Sequence, residues 1–413
     1  MLLEQLEYFT PRWVEVNIDA ILHNLQEIRR WVGPGVKIMA VVKADAYGHG
    51  AAGVARALEE AGVDFLAVTA LEEGIELRRQ GVEAPVLVFA PLIGSQAGIA
   101  IDYRLTPSVN SEETARLVSR AARFRQRCVP VHLKVETGMG RMGVSPSAAV
   151  ELAAAVAADP WLELEGLYTH LAAAASGKRS DRRYCEEQFR RFCGVAEALA
   201  ERGIPVPLRH VCNSAALLAF PHMHLDMVRP GTLLYGQYPV GKLPRPLRLE
   251  NPWQLKARIL QIQEFPPGAS IGYERAAVVR RRTRVAVLPI GYADGFTMEP
   301  RLRPRSFWEL LRAWGKAFLS WLWGKRWRET VEINGKQVPI LGRVAMQLCM
   351  ADVTDVPEAR VGTVASFSAR RTAVSRALPR LYMRASRPWL VSSWLEEEIA
   401  REREKEVRLS EGT

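Results

Sequence analysis

Met39-Ala40-Val41-Val42-Lys43-Ala44-Asp45-Ala46-Tyr47-Gly48-His49-Gly50 is the stretch around which the rest of the chain is read. Val36 to Val42 is apolar apart from Lys37, the pattern of a parallel strand buried on both faces. Lys43 stands where that strand should end, and Tyr47-Gly48-His49-Gly50 turns the chain into a helix-like run from Ala51 to Ala61. In α/β sheets, ligands gather at the C-terminal ends of strands. A lysine held there in a partly dry site can be neutral enough to attack a carbonyl. On strand context alone it can equally snorkel to water.

Working outward, short β-rich runs alternate with helical stretches from Arg12 to about Tyr235. Residues 36–42, 65–68, 86–89, 129–135, 164–168 and 225–228 read as strands, and 51–60, 72–80, 111–123, 147–157 and 186–202 as helices. Thr69-Ala70-Leu71-Glu72 has the form of a capping box at one helix start. Such alternation predicts a (β/α)8 barrel over 12–238. Prolines 239, 244, 246 and 252 then mark a linker, and β-type segments with an Asn334-Gly335 turn predict a smaller, mainly β domain over 239–384. Residues 1–11 are expected to pack on that domain. Two regions stand apart: a tryptophan-rich helical insertion at 301–328 and a charged helical tail at 385–413.

Composition narrows the function classes. At 413 residues the chain can bury two cores. Its start lacks a basic segment followed by an apolar one, so no secretory leader is expected, and no apolar run is long enough for a membrane span. Five scattered cysteines without CxxC spacing fit reduced cytoplasmic thiols, and no metal site is read; His222 and His224 lack a third ligand nearby. The formal charge of +11 is concentrated locally, in Arg280 to Arg284 and Arg301 to Arg328. It is weak ground for a nucleic-acid partner, and none is expected.

Several motifs then fall in register. Val41-Val42-Lys43-Ala44-Asp45-Ala46-Tyr47-Gly48-His49-Gly50, Leu133 to Gly143, Thr169-His170, Asn213 to Ala216, Val228-Arg229-Pro230-Gly231 and Gly291 to Gly295 together resemble the alanine racemase family. The resemblance implies a pyridoxal 5'-phosphate enzyme that interconverts L- and D-alanine for the cell wall, built on a barrel plus a β domain. It implies that Lys43 carries the cofactor and serves as one acid/base. Tyr47, Ser214, Gly231 and Thr232 would hold the phosphate, Arg229 would face the pyridine nitrogen, and His170 would orient it. Tyr273 would be the second base, given by the other subunit of a homodimer. Arg141 and the Met346 backbone amide would bind the substrate carboxylate, and Lys134 matches a lysine that is carbamylated in many members.

Departures cluster around substrate handling. Ala172 to Ala175 lacks the family's acidic residue, Met298 replaces an arginine, Gln347 follows Met346 in place of aspartate, and Glu274 replaces a glycine. These leave open a cofactor-binding paralogue of impaired or altered activity with a docking role. A related decarboxylase is the other rival, disfavoured by Arg229 because decarboxylation benefits from an acidic partner at the ring nitrogen. In the insertion, Phe307, Leu311, Trp314, Phe318 and Leu322 recur at helical spacing beside cationic residues. That pattern suits a helix packed on its own domain, or one lying on a membrane surface through 306–327.

Overall fold

The computed structural model describes residues 10–298, 307, 311–312, 314–315 and 329–392. They divide into two units, one of Asn17–Pro252 and one that joins the chain up to Val16 to the chain from Trp253 onward.

The strand β1 (Arg12–Asn17) precedes the barrel strands β2 (Lys37–Val41), β3 (Phe65–Val68), β4 (Val86–Val88), β5 (Thr106–Val109), β6 (Val129–Lys134), β7 (Leu162–Tyr168), β8 (Leu208–His210) and β9 (Met227–Val228). The eight barrel strands are parallel and ordered β8-β7-β6-β5-β4-β3-β2-β9. An isolated bridge from Asn213 to Arg229 spans the remaining seam. This is the predicted barrel, nearly closed. Its interior packs Met39, Val41, Phe65, Ala67, Leu87, Leu208 and Met227. Burying a large apolar side chain of this kind contributes about 1.5–3 kcal/mol.

Side chains alternate along a strand, so each interior position is repeated two residues on. Val41 is followed by Lys43, Leu208 by His210 and Met227 by Arg229. Apolar residues fill the barrel, and polar ones follow at the C-terminal ends. Strands β5 and β8 were not evident in sequence. Pro107 breaks the strand pattern of one, and the other is three residues with two basic ones. Pro107 is tolerated because it still pairs with Val88 in register.

Both domain edges differ from the sequence reading. Arg12–Val16 pairs antiparallel with β10 (Trp253–Arg258), so this segment belongs to the β unit and the barrel unit begins at Asn17. Asn17 caps the first helix, its side chain accepting from Ala20 N at 3.1 Å. The proline-marked stretch before Trp253 belongs to the barrel. Buried Asn24 donates to Leu234 O and Glu250 O and accepts from Glu250 N at 2.8 Å, which ties that stretch to the helix Ile18–Val32. The helix Leu71–Arg79 is capped by Glu73 rather than Glu72. Its carboxylate accepts from Thr69 N and Ala70 N at 3.0 and 3.1 Å, without the hydroxyl half of a capping box.

In the second unit, β11 (Gln261–Phe265), the short pair β12 (Ser270–Ile271) and β13 (Ala277–Val278), and β14 (Thr283–Leu288) come first. Then follow β15 (Thr330–Ile333), β16 (Lys336–Leu341), β17 (Cys349–Asp352), β18 (Val364–Phe367), β19 (Arg380–Arg384) and β20 (Arg387–Val391). Ten strands form one sheet, ordered β11-β14-β17-β16-β15-β18-β10-β1-β19-β20. The β15–β16 hairpin turns at Asn334 and Gly335, both at positive φ, as a two-residue primed turn requires. Arg387–Val391 pairs with β19, so the first part of the stretch read as a helical tail is a strand; Trp13, Leu381 and Val391 pack there. The rest of that tail, residues 1–9 and most of the insertion at 301–328 lie outside the described residues. Among the described residues, no helix is long and apolar enough to cross a membrane.

Candidate active site

A cavity of about 430 Å³ opens at the C-terminal ends of the barrel strands and is lined by Lys43, Tyr47, Lys134, Arg141, Tyr168, His170, Asn213, Ser214, Arg229, Gly231 and Thr232, among others. Lys43 and Arg229 reach it through the alternation above, and the turns and loops that follow the strands supply Tyr47, Arg141, Asn213, Ser214 and Thr232. The chain after Lys43 is unusual: Ala44, Asp45, Ala46 and Tyr47 all have φ between 49° and 57°, one left-handed turn of non-glycine residues. Left-handed backbone costs roughly 1–2 kcal/mol per residue, so this turn stores strain at the cavity rim. Local bonds hold it. Ala46 N donates to Val42 O at 2.8 Å, Ala51 N to Asp45 Oδ1 at 2.8 Å, and Ala44 N to Glu73 Oε1 at 2.6 Å. Glu73 therefore clasps the lysine-bearing turn to the neighbouring βα loop.

The turn carries Tyr47 to Gly231. A Cβ on Gly231 would lie 2.5 Å from the Tyr47 hydroxyl. Gly231 N donates to Ser214 Oγ at 2.8 Å, and Thr232 Oγ1 is buried without a hydrogen-bond partner among the described residues. Burial raises the Tyr47 phenol to about 12, so it remains a donor at neutral pH.

Cationic groups converge on the cavity. Burial lowers the Lys43 pKa and nearby Arg141 lowers it further, while Glu73 pulls it back up. Lys134 is brought down to about 8 by burial, Arg141 and Arg229. Fully buried Arg229 falls to about 10, chiefly through burial, and stays cationic near neutrality. Its Nη1 donates to His210 Nδ1 at 2.9 Å and His210 O at 2.7 Å, and its Nη2 to Thr169 O at 2.7 Å and Val211 O at 3.1 Å. His170 drops to about 3 through burial and the surrounding cations, so its ring is neutral and accepts from Asn213 Nδ2 at 3.2 Å. Arg141 ends a loop whose backbone N–H groups, at Gly138, Met139 and Arg141, all donate to the Glu136 carboxylate.

The structure thus gathers Lys43, Tyr47, Lys134, Arg141, His170, Ser214, Arg229, Gly231 and Thr232 around one cavity. Tyr273 and Met346 lie in the other unit, where they are 71% and 58% exposed. His222 and His224 have structural partners: Glu186 for the first, at 3.2 Å, and Leu217 O for the second, at 2.9 Å. Sequence reasoning passed over Glu73, Tyr168 and His210. Tyr168 and His210 follow inward-facing strand positions by two residues and were findable by that period.

Family comparisons agree with this geometry. Residues 16–239 match the family model described as alanine racemase, N-terminal domain, and 253–377 the one described as alanine racemase, C-terminal domain. The chain is 41% identical over 353 residues to the alanine racemase of Desulforamulus reducens, spanning 85% of this chain and 88% of that one. Alanine racemase 1 of Caldanaerobacter subterraneus subsp. tengcongensis is 38% identical over 353 residues, spanning 85% and 84%. Among solved structures, alanine racemase of Clostridium difficile 630 superposes with a TM-score of 0.82 at 29% identity, covering 94% of this chain and 99% of that one. That of Bacillus anthracis with bound L-Ala-P gives 0.76 at 28% identity, covering 94% and 99%.

Proposed function

The chain belongs to the alanine racemase family, and from that premise we propose that it interconverts L- and D-alanine with pyridoxal 5'-phosphate carried on Lys43. One observation carries the reading: half-buried Lys43 and buried, cationic Arg229 line the same cavity as a cradle of Tyr47, Ser214, Gly231 and Thr232. The cradle fits a phosphate ester, because Gly231 leaves room where a Cβ would stand and buried Thr232 Oγ1 lacks a partner among the described residues.

When bound, the cofactor supplies an electron sink that acidifies the Cα–H of the attached amino acid. The chain's own residues do the rest. Lys43, with its lowered pKa, holds the cofactor and then moves a proton at Cα on one face. Arg229 spends four of its five N–H donors on His210, Thr169 and Val211, which leaves Nε–H for the ring nitrogen. A guanidinium does not readily give up its proton, so that nitrogen stays unprotonated and proton exchange is favoured over side reactions. Neutral His170, held by Asn213, lies beside this arginine's carbonyl partners. Tyr273, given by the second subunit of a homodimer, moves the proton on the opposite face. Arg141 and the Met346 amide hold the substrate carboxylate. Five unpaired cysteines fit a reducing, cytoplasmic setting.

The test is racemisation by purified protein, in both directions, with a panel of L-amino acids. Alanine is expected to turn over fastest. Cα exchange of another amino acid with none of alanine would overturn the substrate assignment.

Two further outcomes follow from the cavity. Gly231→Ala is expected to weaken cofactor binding about 5- to 150-fold, the equivalent of roughly 1–3 kcal/mol of overpacking against Tyr47. Titration of the apoprotein with cofactor measures this, and unchanged affinity would remove Gly231 from the phosphate cradle. Lys134, at about 8, has roughly a tenth of its amine neutral at pH 7. We assign it a carbamate: the amine nitrogen bonds to the carbon of CO2, a proton leaves to water, and the resulting anion pairs with Arg141. Protein equilibrated with 13C-bicarbonate should show a carbamate resonance that Lys134→Ala lacks. A spectrum without it from pH 7 to pH 9 would sink the assignment.

A further inference from the structure

A row of four side chains leads from Arg229 into the barrel. Arg229 Nη1 donates to His210 Nδ1 at 2.9 Å, His210 Nε2 lies 2.8 Å from His132 Nδ1, and His132 Nε2 lies 3.0 Å from Glu165 Oε2. The two ends fix the direction of every bond. A guanidinium only donates, and a carboxylate only accepts. His210 must therefore turn a lone pair on Nδ1 toward Arg229 and carry its proton on Nε2. That proton goes to His132 Nδ1, so His132 carries its own on Nε2 and gives it to Glu165. Both rings are neutral and every bond is satisfied. For His210 this agrees with a pKa driven well below the ordinary range by burial and by Arg229.

Glu165 reaches this position through an irregularity. Strands β6 and β7 pair Val131 with Leu164 and then His132 with Gly166, so Glu165 is the extra residue of a β-bulge. A bulge re-aims a side chain that regular pleating would send to the other face. The next residue is the glycine that makes room: a Cβ on Gly166 would lie 2.6 Å from His132 Nδ1. Glu165-Gly166 thus supplies both the space and the acceptor for His132. Ring contacts fix the planes, with Tyr168 stacked on His210 at 5.0 Å and Phe65 tilted against His132 at 5.9 Å. The Glu165 side chain is 26% exposed, while His132 is fully buried. The row therefore ends in a carboxylate with solvent contact.

We propose that Glu165 is a positioning residue of the reaction: through His132 and His210 it fixes the proton positions that hold the Arg229 guanidinium against the cofactor ring nitrogen. The proposal rests on Arg229 facing that nitrogen. An ionised acceptor strengthens the bond it receives and polarises the next ones along the row. Arg229 then meets a stronger acceptor at His210 Nδ1 and keeps its orientation.

The first arm of the test uses the apo dimer with 15N-labelled histidine. Wild type should show His132 and His210 protonated on Nε2, with a nitrogen–nitrogen coupling across their mutual bond. Glu165→Leu should abolish that coupling, and Glu165→Gln, whose amide oxygen still accepts, should retain it. A wild-type His210 protonated on Nδ1, or an unaltered coupling in Glu165→Leu, would overturn the row. The second arm loads the cofactor. Glu165→Leu should lower kcat about 2- to 30-fold with little change in KM. It should also raise the share of turnovers lost to transamination, in which the proton goes to the cofactor carbon, the amino group stays on the cofactor and hydrolysis releases pyruvate. Glu165→Gln should restore both. An intact partition in Glu165→Leu, while Arg229→Lys shifts it, would overturn the link from Glu165 to Arg229. A partition indifferent to Arg229→Lys as well would instead remove Arg229 from the ring nitrogen and leave the row standing. If Glu165→Leu does not fold, Gly166→Ala, which crowds the His132 ring, should give the same loss of coupling and shift in partition. Its failure to do so would overturn the proposal.

Discussion

Protein carrying Lys43→Ala is expected to show no visible absorbance band from covalently held cofactor and to lose alanine racemisation by about 10⁴-fold or more, the scale seen when a covalent-catalysis residue is removed. Lys43 lies two residues past Val41, the last residue of β2, and lines the cavity. Its pKa is lowered by burial first and by Arg141 second, which favours the neutral amine needed to attack a carbonyl. The cavity holds a second lysine, Lys134, whose pKa is also lowered, so the prediction has a real competitor. Borohydride reduction followed by peptide mapping separates them. Cofactor found on Lys134 in the wild type would show that Lys43 is not the anchor. The sign of the pH response follows from the same environment. Arg141 lowers the Lys43 pKa, so Arg141→Ala should raise it and move the acidic limb of the pH–rate profile to higher pH.

Lys43 was legible because an apolar run, a lysine and a glycine-rich turn are adjacent in sequence and need no tertiary information. The left-handed turn between them was not, because Ala44, Asp45, Ala46 and Tyr47 are residues that ordinarily avoid positive φ. Bonds within the turn, together with the one that Ala44 N donates to Glu73 from a neighbouring loop, make that conformation hold. The capping residue was misplaced by one position for a related reason. Glu72 and Glu73 both stand near the helix start, and which one turns back depends on where the loop leaves β3. The strand period points to His210, but the row that it forms with His132 and Glu165 was hidden more deeply. Their alignment depends on a register shift between two strands, and a single extra residue in β7 leaves no mark in the hydrophobic pattern. The domain edges failed where chain order and space disagree: Arg12–Val16 precedes the barrel in sequence yet pairs with β10, far along the chain. Proline content suggested a boundary at 239, but Asn24 holds the stretch up to Glu250 on the barrel.

Tyr273→Phe is expected to preserve cofactor binding and cut racemisation by about 10²–10⁴-fold, the usual loss for a missing acid/base. The substitution removes one hydroxyl from a side chain that is 71% exposed in its own unit, so little core packing is disturbed. The turn that presents it is built without that hydroxyl. Gly272 takes φ 78°, Glu274 and Arg275 follow at 55° and 52°, and Glu274 is clasped by Arg343 at 2.8 Å. A Cβ on Gly272 would press on the Met350 methyl at 3.1 Å, which gives the glycine a packing reason beside the conformational one. Backbone and ion pair thus hold residue 273 outward whether it is tyrosine or phenylalanine. Racemisation needs a proton donor and acceptor on each face of the planar carbon, and in the proposed mechanism Lys43 serves one face only. In deuterium oxide, the variant should therefore still exchange the Cα hydrogen of one alanine enantiomer while the other exchanges far more slowly. Equal, near-normal exchange of both enantiomers would remove Tyr273 as the second base and return the role to a group within the barrel cavity. Equal and severe loss for both, with the cofactor band intact, would mean that the phenol acts on substrate binding rather than on proton transfer, and KM would carry the change. The asymmetric result alone fits two bases on opposite faces, and it can be read from one variant in one solvent.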